Sequence, residues 1–255
     1  MFFEYLTMNT KLEGKMNIND LLILVKFIPE KYLESFIDGK LRMNSPEYFQ
    51  RYHEIGIGDH NDSSIVVSRG KGYIIFDESN CIEMSSKEMS FNTAFTKYPI
   101  FCLFAIDKSI ANVQEIDSGY DIKLNLSCED KKRVQNDFNG DDYKVVIIID
   151  TELFINKIRS EVNKRFVKDD ILIHKKVRYY KEDSNVSVFD PLFYKKETFS
   201  HQHEYRFILS NDKLNIPYIL DIGSIKNIVK IVSLNDFLGS EFVIKLKKAG
   251  NTSIV

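Results

Sequence analysis

The sequence predicts an α+β fold built as one domain rather than as a regular βαβ array. Two observations lead to this class: short apolar runs typical of buried strands recur along the chain, and helical patterns separate only some of them. The 255 residues, 44% of them hydrophobic, are enough for a substantial core. Because no linker rich in Pro, Gly or Ser divides the chain, we expect an N-terminal extension over residues 1–16 and a single α+β domain over residues 17–255.

The first elements of this domain are predicted to be a strand, a helix and a second extended segment. "LLILVKF", from Leu21, is an apolar run suited to a buried strand. In "PEKYLESFIDGK", Pro29 suits the first helical position and Gly39 the position just beyond the helix end. "LRMNS" then predicts an extended segment in which Arg42 and Asn44 share one face.

The middle of the chain predicts strands separated by polar segments. Residues 51–64 are polar and typical of a loop, and "SIVVS" and "GYIIF" after them predict a hairpin around residues 69–72. "IFCLFAI" (100–106) predicts a buried strand. Residues 107–142, rich in Asp, Asn, Ser and Lys, predict a long surface excursion.

The last part of the chain mixes strands and helices. "KVVIIID" (144–150) predicts a buried strand, and Asp150 is placed to cap the helix "TELFINKIRSEVNKRF". "VRYY" and "EYRFIL" predict strands on either side of an irregular segment at 181–199. The remaining residues predict a strand, a turn, another strand, a helix and a final short strand.

Composition limits where the protein acts. The net charge of −2 gives no overall basic field that would attract nucleic acid or anionic lipid. Three cysteines without a CxxC pair argue against a disulfide framework or a thiolate zinc site, and fit a reducing compartment. Neither a signal peptide nor an apolar run of membrane-spanning length is evident. We therefore expect a cytoplasmic protein with no membrane partner.

The most informative stretch is "YKKETFSHQHEYRFIL", which sets Gln202, Glu204 and Arg206 at alternate positions. If this is one strand, the three polar side chains share a face, and a carboxylate there could stabilise an oxocarbenium-like transition state. The other interpretation is a half-exposed polar face on which Arg206 pairs with Glu204 or with a neighbouring strand.

Two further patterns suggest other chemistry. His201 and His203 have the spacing of paired zinc ligands on a strand, although the residues that alternate with them indicate packing. "HKKVRYYK" (174–181) is basic and carries two tyrosines, which suits nucleic-acid contacts or, more simply, a solvated strand edge. Neither a GxSxG motif nor a glycine-rich phosphate loop is present.

Several segments between residues 21 and 235 together resemble a widespread bacterial family of unknown function, whose members often lie near phage-defence genes. They are "LLILVKFIPEKYLESFIDGKLRMNSPEYFQ", "GIGDHND", "FCLFAI", "VRYYKED", "KKETFSHQHEYRF" and "ILDIGSIKNIVKIV". That family carries the pattern K-x3-W-x2-E-x-E-x-R. Lys195, Phe199, Glu204 and Arg206 match it with Phe for Trp, and Gln202 stands where the first acid is usual.

That layout in turn resembles ADP-ribosyltransferases, in which a late strand starts with Glu-x-Glu or Gln-x-Glu. The resemblance implies a split, twisted, mixed or antiparallel β core with flanking helices, and a cleft that binds NAD as a substrate without a metal. Glu204 would stabilise the NAD ribose as nicotinamide leaves, and Gln202 would orient the acceptor. The residues implied to contact NAD are Lys26, Arg42, Asn44 and Arg206, with Lys26 standing where Arg or His is usual.

The resemblance thus implies an ADP-ribosyltransferase-like toxin or phage-defence effector. It would modify a macromolecular acceptor, either protein or nucleic acid, and a partner or antitoxin protein is a further expectation. On this interpretation, Glu204→Gln abolishes activity with little loss of folding. Two other classes stay open: a non-catalytic sensor that binds a nucleotide or a phage protein, and a metal-dependent nuclease or hydrolase built on His201 and His203.

Overall fold

In a computed structural model, the structure is described for residues 6–12, 21–51, 62–63, 65–68, 71–77, 80–85, 88–91, 94–117, 119–138, 142–166, 171–181, 187–188, 190–240 and 242–248. The fold is mixed α+β with mainly antiparallel sheets, as the sequence predicts. Two compact units make up the chain. Unit 1 comprises residues 1–41, 102–168 and 219–255, and unit 2 comprises residues 42–101 and 169–218. The single domain over residues 17–255 stays a prediction.

Strands form most of the regular structure. In chain order they are β1 Leu6–Leu12, β2 Ile23–Pro29, β3 Lys40–Met43, β4 Ile65–Ser68, β5 Lys71–Asp77, β6 Asn80–Ser85, β7 Glu88–Phe91, β8 Ile100–Ile106, β9 Ala111–Ile116, β10 Gly119–Leu124, β11 Tyr143–Ile148, β12 Leu172–Lys176, β13 Arg178–Tyr180, β14 Ser187–Val188, β15 Tyr194–Lys196, β16 Glu204–Leu209, β17 Tyr218–Asp221, β18 Val229–Ser233 and β19 Val243–Lys248. The first of them, β1, falls in the predicted N-terminal extension and runs parallel to β19.

The helices are short, and three of them begin at a side-chain cap. They are α1 Leu33–Ile37, α2 Pro46–Arg51, α3 Cys128–Asp137, α4 Thr151–Arg165 and α5 Leu234–Leu238. The predicted cap of α4 is confirmed, because the Asp150 carboxylate accepts a hydrogen bond from the Leu153 N–H at 2.9 Å. Ser127 and Ser233 cap α3 and α5 in the same way. Among the described residues, none of the helices has the length and apolar character needed to cross a bilayer.

Unit 1 is built from two sheets that share one core. One contains β8, β2, β11 and β18 in that order, and the other contains β1, β19, β10 and β9. Alternate residues of β2, β8, β10, β11 and β19 point into a single apolar cluster, because successive side chains of a strand face opposite sides. Phe27 lies at its centre, with its ring stacked on Phe138 at 4.4 Å and edge-on to Phe104 and Phe237.

Within unit 1 the predicted strand and helix at residues 21–39 are confirmed. After β2 the chain forms a 3-10 turn over Glu30–Tyr32, continues into α1, and reverses at Gly39, which has φ of 90°. A Cβ at Gly39 would lie 2.0 Å from the carbonyl oxygen of Gly223, so the position requires glycine for its conformation and for the close approach.

Gly39→Ala is therefore expected to lower the free energy of unfolding by about 2–3 kcal/mol, because left-handed strain adds to the cost of overpacking. Gly223→Ala is the matched control. Gly223 also has positive φ, of 69°, but no atom lies within 4 Å of its added Cβ, so its loss is expected to be about 1 kcal/mol. Urea unfolding of both variants checks this, and equal losses would contradict the close approach at Gly39.

Unit 2 contains small, mainly antiparallel sheets and 3-10 turns. Strands β12 and β16 pair with His174 opposite Phe207, and β4 lies between β14 and β7. A separate hairpin joins β5 to β6, and β13 runs parallel to β15. The turns that matter for the site are Pro191–Phe193 and Glu197–Gln202, which lie before and after β15.

Two predictions about the middle of the chain are wrong. "SIVVS" and "GYIIF" do not pair with each other, since β4 pairs with β7 and β14 while β5 pairs with β6. Residues 107–142 were predicted as a surface excursion, but they contain the β9–β10 hairpin and α3. Tyr120 and Ile122, on the inner face of β10, are buried in the core of unit 1.

Candidate functional site

Unit 2 contains a buried group of four charged side chains, Asp62, Lys195, Glu204 and Arg206, which we call the charge cluster. Their exposed fractions are 2%, 5%, 5% and 0%. Two carboxylates face two cations, so the formal charges cancel. Burying four charges is costly unless geometry and hydrogen bonding are good, and such groups rarely occur without a structural or functional role.

Arg206 is the centre of the charge cluster. Its two terminal nitrogens each donate to one carboxylate oxygen of Asp62 at 2.8 Å, and its Nε donates to Oε1 of Glu204 at 2.6 Å. One terminal nitrogen also donates to the carbonyl oxygen of Leu192 at 2.8 Å. The planar guanidinium thus holds both carboxylates in a fixed relation. The sequence interpretation that Arg206 pairs with Glu204 is confirmed, although the pair is buried rather than on a half-exposed face.

Lys195 closes the charge cluster on the other side of Glu204. Its Nζ lies 2.7 Å from Oε2 of Glu204 and 3.8 Å from Oδ2 of Asp62, and it donates to Oε1 of Gln202 at 3.1 Å. The ammonium also lies 5.4 Å from the ring centroid of Phe199, a cation–π distance. The residues of the sequence pattern therefore lie together in the structure. They are Lys195, Phe199, Gln202, Glu204 and Arg206.

The local backbone explains how Gln202 and Glu204 reach the same cation. Gln202 is not on the strand with Glu204, as the alternation predicted, but ends the 3-10 turn Glu197–Gln202. His203 then has φ of 39°, in the left-handed region, and β16 begins at Glu204. Gln202 and Glu204 therefore reach Lys195 from a turn and a strand, and only Glu204 and Arg206 share a strand face.

Backbone strain is found beside both carboxylates. Within the described part of the chain, the residues other than glycine with positive φ are Ser63, at 58°, and His203. Ser63 directly follows Asp62, and His203 directly precedes Glu204. A left-handed conformation costs a residue with a Cβ about 1–2 kcal/mol, and such residues concentrate at functional sites.

Tyr179 is a polar neighbour of the charge cluster. Its hydroxyl oxygen accepts a hydrogen bond from the backbone N–H of Glu204 at 2.9 Å. Burial raises the pKa of Tyr179 well above its usual range, and the negative charge of Glu204 adds to the effect, while the Glu204 N–H and the charges of Lys195 and Arg206 oppose it. Tyr179 is therefore a neutral hydroxyl at physiological pH.

The raised pKa of Tyr179 predicts that its hydroxyl stays protonated at pH values at which an ordinary tyrosine ionises. Tyrosine in an unfolded chain ionises near pH 10, so above about pH 10 unfolding releases a proton from Tyr179. Its contribution to the free energy of unfolding is full below about pH 10 and declines as the pH rises further. We expect folded wild type and Tyr179→Phe to show equal phenolate absorbance just above pH 10. A higher phenolate absorbance in the wild type than in Tyr179→Phe at that pH would contradict this.

The other residues that the resemblance implies for NAD belong to other elements. Lys26 belongs to unit 1, where its Nζ donates to the carbonyl oxygen of Cys102 at 2.8 Å. In unit 2, Arg42 is exposed on β3, and Asn44 forms a backbone bridge with Ile100. Their role in binding stays a prediction, whereas Gln202, Glu204 and Arg206 are brought together.

The histidine pattern does not form a strand pair. His201 is buried within the 3-10 turn, and His203 is the left-handed residue after it, so their imidazoles do not share a strand face. In the residues for which structure is described, His, Cys, Asp and Glu side chains form no group of three or more that could hold a metal ion. His201 and His203 therefore do not form the strand-face pair that the sequence pattern predicted, and the metal-dependent hydrolase stays an untested prediction.

Sequence reasoning missed Asp62 and Tyr179. Asp62 lies 144 residues before its partner Arg206, a separation at which no periodic pattern gives a signal. The segment "GIGDHND", which contributes to the family resemblance, contains Asp62 and was the available clue. Residues 52–61 of the predicted loop lie outside the described residues.

Comparisons with protein-family models, with curated proteins and with solved structures found no match. The resemblance to ADP-ribosyltransferases therefore stays a prediction from the sequence, and a function has to be inferred from the charge cluster.

Proposed function

We propose that the charge cluster is the NAD site of an ADP-ribosyltransferase-like toxin or phage-defence effector, which transfers ADP-ribose to a macromolecular acceptor. Glu204 would be the catalytic carboxylate. Gln202, whose amide oxygen contacts the same lysine, would orient the acceptor. The proposal combines the Gln-x-Glu sequence pattern with the geometry of unit 2.

The observation that carries the proposal is the position of Glu204. It is the first residue of β16, it directly follows a left-handed residue, and it lies within hydrogen-bond distance of Arg206 and Lys195. Opposite charges this close favour the carboxylate over the carboxylic acid. A fixed negative charge is what stabilisation of a ribosyl cation requires. The start of a late strand is the position that the resemblance implies for it.

The reaction would proceed by loose cleavage of the bond between nicotinamide and ribose. The bonding electron pair leaves with the nicotinamide nitrogen, and positive charge develops on the ribose. The Glu204 carboxylate stabilises that charge more strongly in the transition state than in the ground state, which is the condition for catalysis. The acceptor then forms a bond to the anomeric carbon and releases a proton to solvent.

One observation favours a second candidate, the non-catalytic nucleotide sensor. Both carboxylate oxygens of Glu204 already contact cations of the same chain, at 2.6 Å from Arg206 Nε and 2.7 Å from Lys195 Nζ. A carboxylate in this state has less capacity for a ribose unless Lys195 moves. A sensor would bind NAD or a related nucleotide and leave its glycosidic bond intact.

Incubation with NAD labelled in its adenosine part tests the proposal. Purified protein is mixed with labelled NAD, in separate reactions with cytosolic protein, RNA and DNA as acceptors. The expected result is free nicotinamide together with label in one acceptor class. Nucleotide binding in a calorimeter without nicotinamide release would support the sensor. A folded protein that does not cleave NAD would contradict the transferase, and one that also binds neither NAD nor related nucleotides would contradict the nucleotide sensor as well.

A further inference from the structure

We propose that Asp62 is a positioning residue for the reaction, acting on Glu204 through Arg206. The inference rests on the proposed function and extends it to a residue remote in sequence. Asp62 is 2% exposed, and its carboxylate contacts Arg206 and Ser63 and lies 3.8 Å from Lys195. Its expected effect on the reaction is therefore exerted through these groups.

Arg206 couples the position of the Asp62 carboxylate to that of the Glu204 carboxylate. The guanidinium is planar, so fixing both terminal nitrogens on Asp62 at 2.8 Å also fixes the direction of the Nε–H. That N–H donates to Oε1 of Glu204 at 2.6 Å. A displacement of the Asp62 carboxylate consequently displaces the Glu204 carboxylate by way of one rigid group.

Asp62 is itself held in place by two hydrogen bonds and by the backbone conformation of the next residue. The Ser63 hydroxyl donates to its Oδ1 at 2.9 Å, and the Gln50 side chain donates to its backbone carbonyl oxygen at 2.8 Å. Ser63, which directly follows Asp62, has a left-handed φ of 58°. An acidic residue that only balanced the charge of Arg206 would not need an anchored backbone, whereas one that sets a catalytic distance would.

The variant Asp62→Glu separates the effect of the position of the carboxylate from the effect of its charge. The variant keeps the carboxylate but adds one methylene, which moves the charge by about 1.5 Å. Because misplacement of a catalytic group by about 1 Å costs about 100-fold, we expect kcat for nicotinamide release to fall about 100-fold. The KM for NAD is expected to stay near that of the wild type, because the lost interaction belongs to the transition state.

Asp190→Glu is the matched control. Asp190 forms an ion pair with Lys175 at 2.6 Å in the same unit but outside the charge cluster, so the same added methylene is expected to leave kcat unchanged. All proteins are assayed below their own melting temperatures. If Asp62→Glu does not fold, Asp62→Asn replaces it. That variant keeps the shape of the side chain and loses one of its two contacts with Arg206, and the same fall in kcat is expected.

The outcomes distinguish this inference from the proposed function. A folded Asp62 variant with wild-type kcat would overturn the positioning role and leave the proposed function standing. A rise in the KM for NAD in the Asp62 variant, without a fall in kcat, would also overturn the positioning role, because it indicates that Asp62 contributes to ground-state binding. A wild-type protein that releases no nicotinamide would overturn the proposed function and this inference together.

Discussion

Replacing Arg206 with methionine is expected to lower the free energy of unfolding by about 3–5 kcal/mol. The side chain is fully buried, and its loss leaves the carboxylates of Asp62 and Glu204 with Lys195 as their only cation in the charge cluster. Methionine fills a similar volume, so the loss reports unpaired charge rather than a cavity.

Urea unfolding measures this loss of stability. Two further variants test whether unpaired buried charge is its cause. Arg178→Met removes an exposed arginine whose contact is a 3.3 Å hydrogen bond to the Tyr194 hydroxyl, so we expect a change within about 0.5 kcal/mol. The double variant Asp62→Asn with Arg206→Met leaves one anion facing one cation, and it should be less destabilised than Arg206→Met alone. If Arg206→Met is no worse than Arg178→Met, the charge cluster is not buried as described.

Glu204→Gln is expected to reduce nicotinamide release by at least about 100-fold. The amide keeps the shape of the side chain but carries no negative charge to stabilise the ribosyl cation, and removal of one fixed group that stabilises transition-state charge costs about 100- to 1000-fold. The loss is expected in kcat as well as in kcat/KM, because the charge develops only in the transition state.

The burial of Glu204 changes one expectation from the sequence. Little loss of folding was expected from Glu204→Gln, since a solvated carboxylate in a cleft seldom supports a core. With an exposed fraction of 5% and two cations beside it, Glu204 contributes to stability as well. We expect the variant to lose about 1–3 kcal/mol of unfolding free energy, so its activity must be compared with that of another ion-paired glutamate.

Much of the fold could be predicted because its signals are local. The strand before α1, the cap of α4 at Asp150, and the final order of strand, strand, helix and strand follow from short apolar runs and capping residues. Strand pairing could not be predicted in the same way. Strand β4 pairs with β7 and β14 rather than with β5, because pairing depends on tertiary contacts that a turn signal at 69–72 does not specify.

The candidate site could be predicted in part for the same reason. Lys195, Gln202, Glu204 and Arg206 lie within twelve residues of one another, and a spaced pattern marks them. Two features of the site had no such signal. The left-handed conformation of His203 takes Gln202 off the strand, and Asp62 joins the charge cluster from another part of the sequence.

The most direct test of the central claim is nicotinamide release by the wild type, Glu204→Gln and Glu161→Gln, each shown to be folded. Glu161 pairs with Arg165 at 2.7 Å on α4, so its replacement removes an ion-paired carboxylate outside the charge cluster. If Glu204 is the catalytic carboxylate, the wild type and Glu161→Gln release nicotinamide at the same rate, while Glu204→Gln is slower by at least about 100-fold. Equal rates in all three proteins, or no release by any of them, would contradict it.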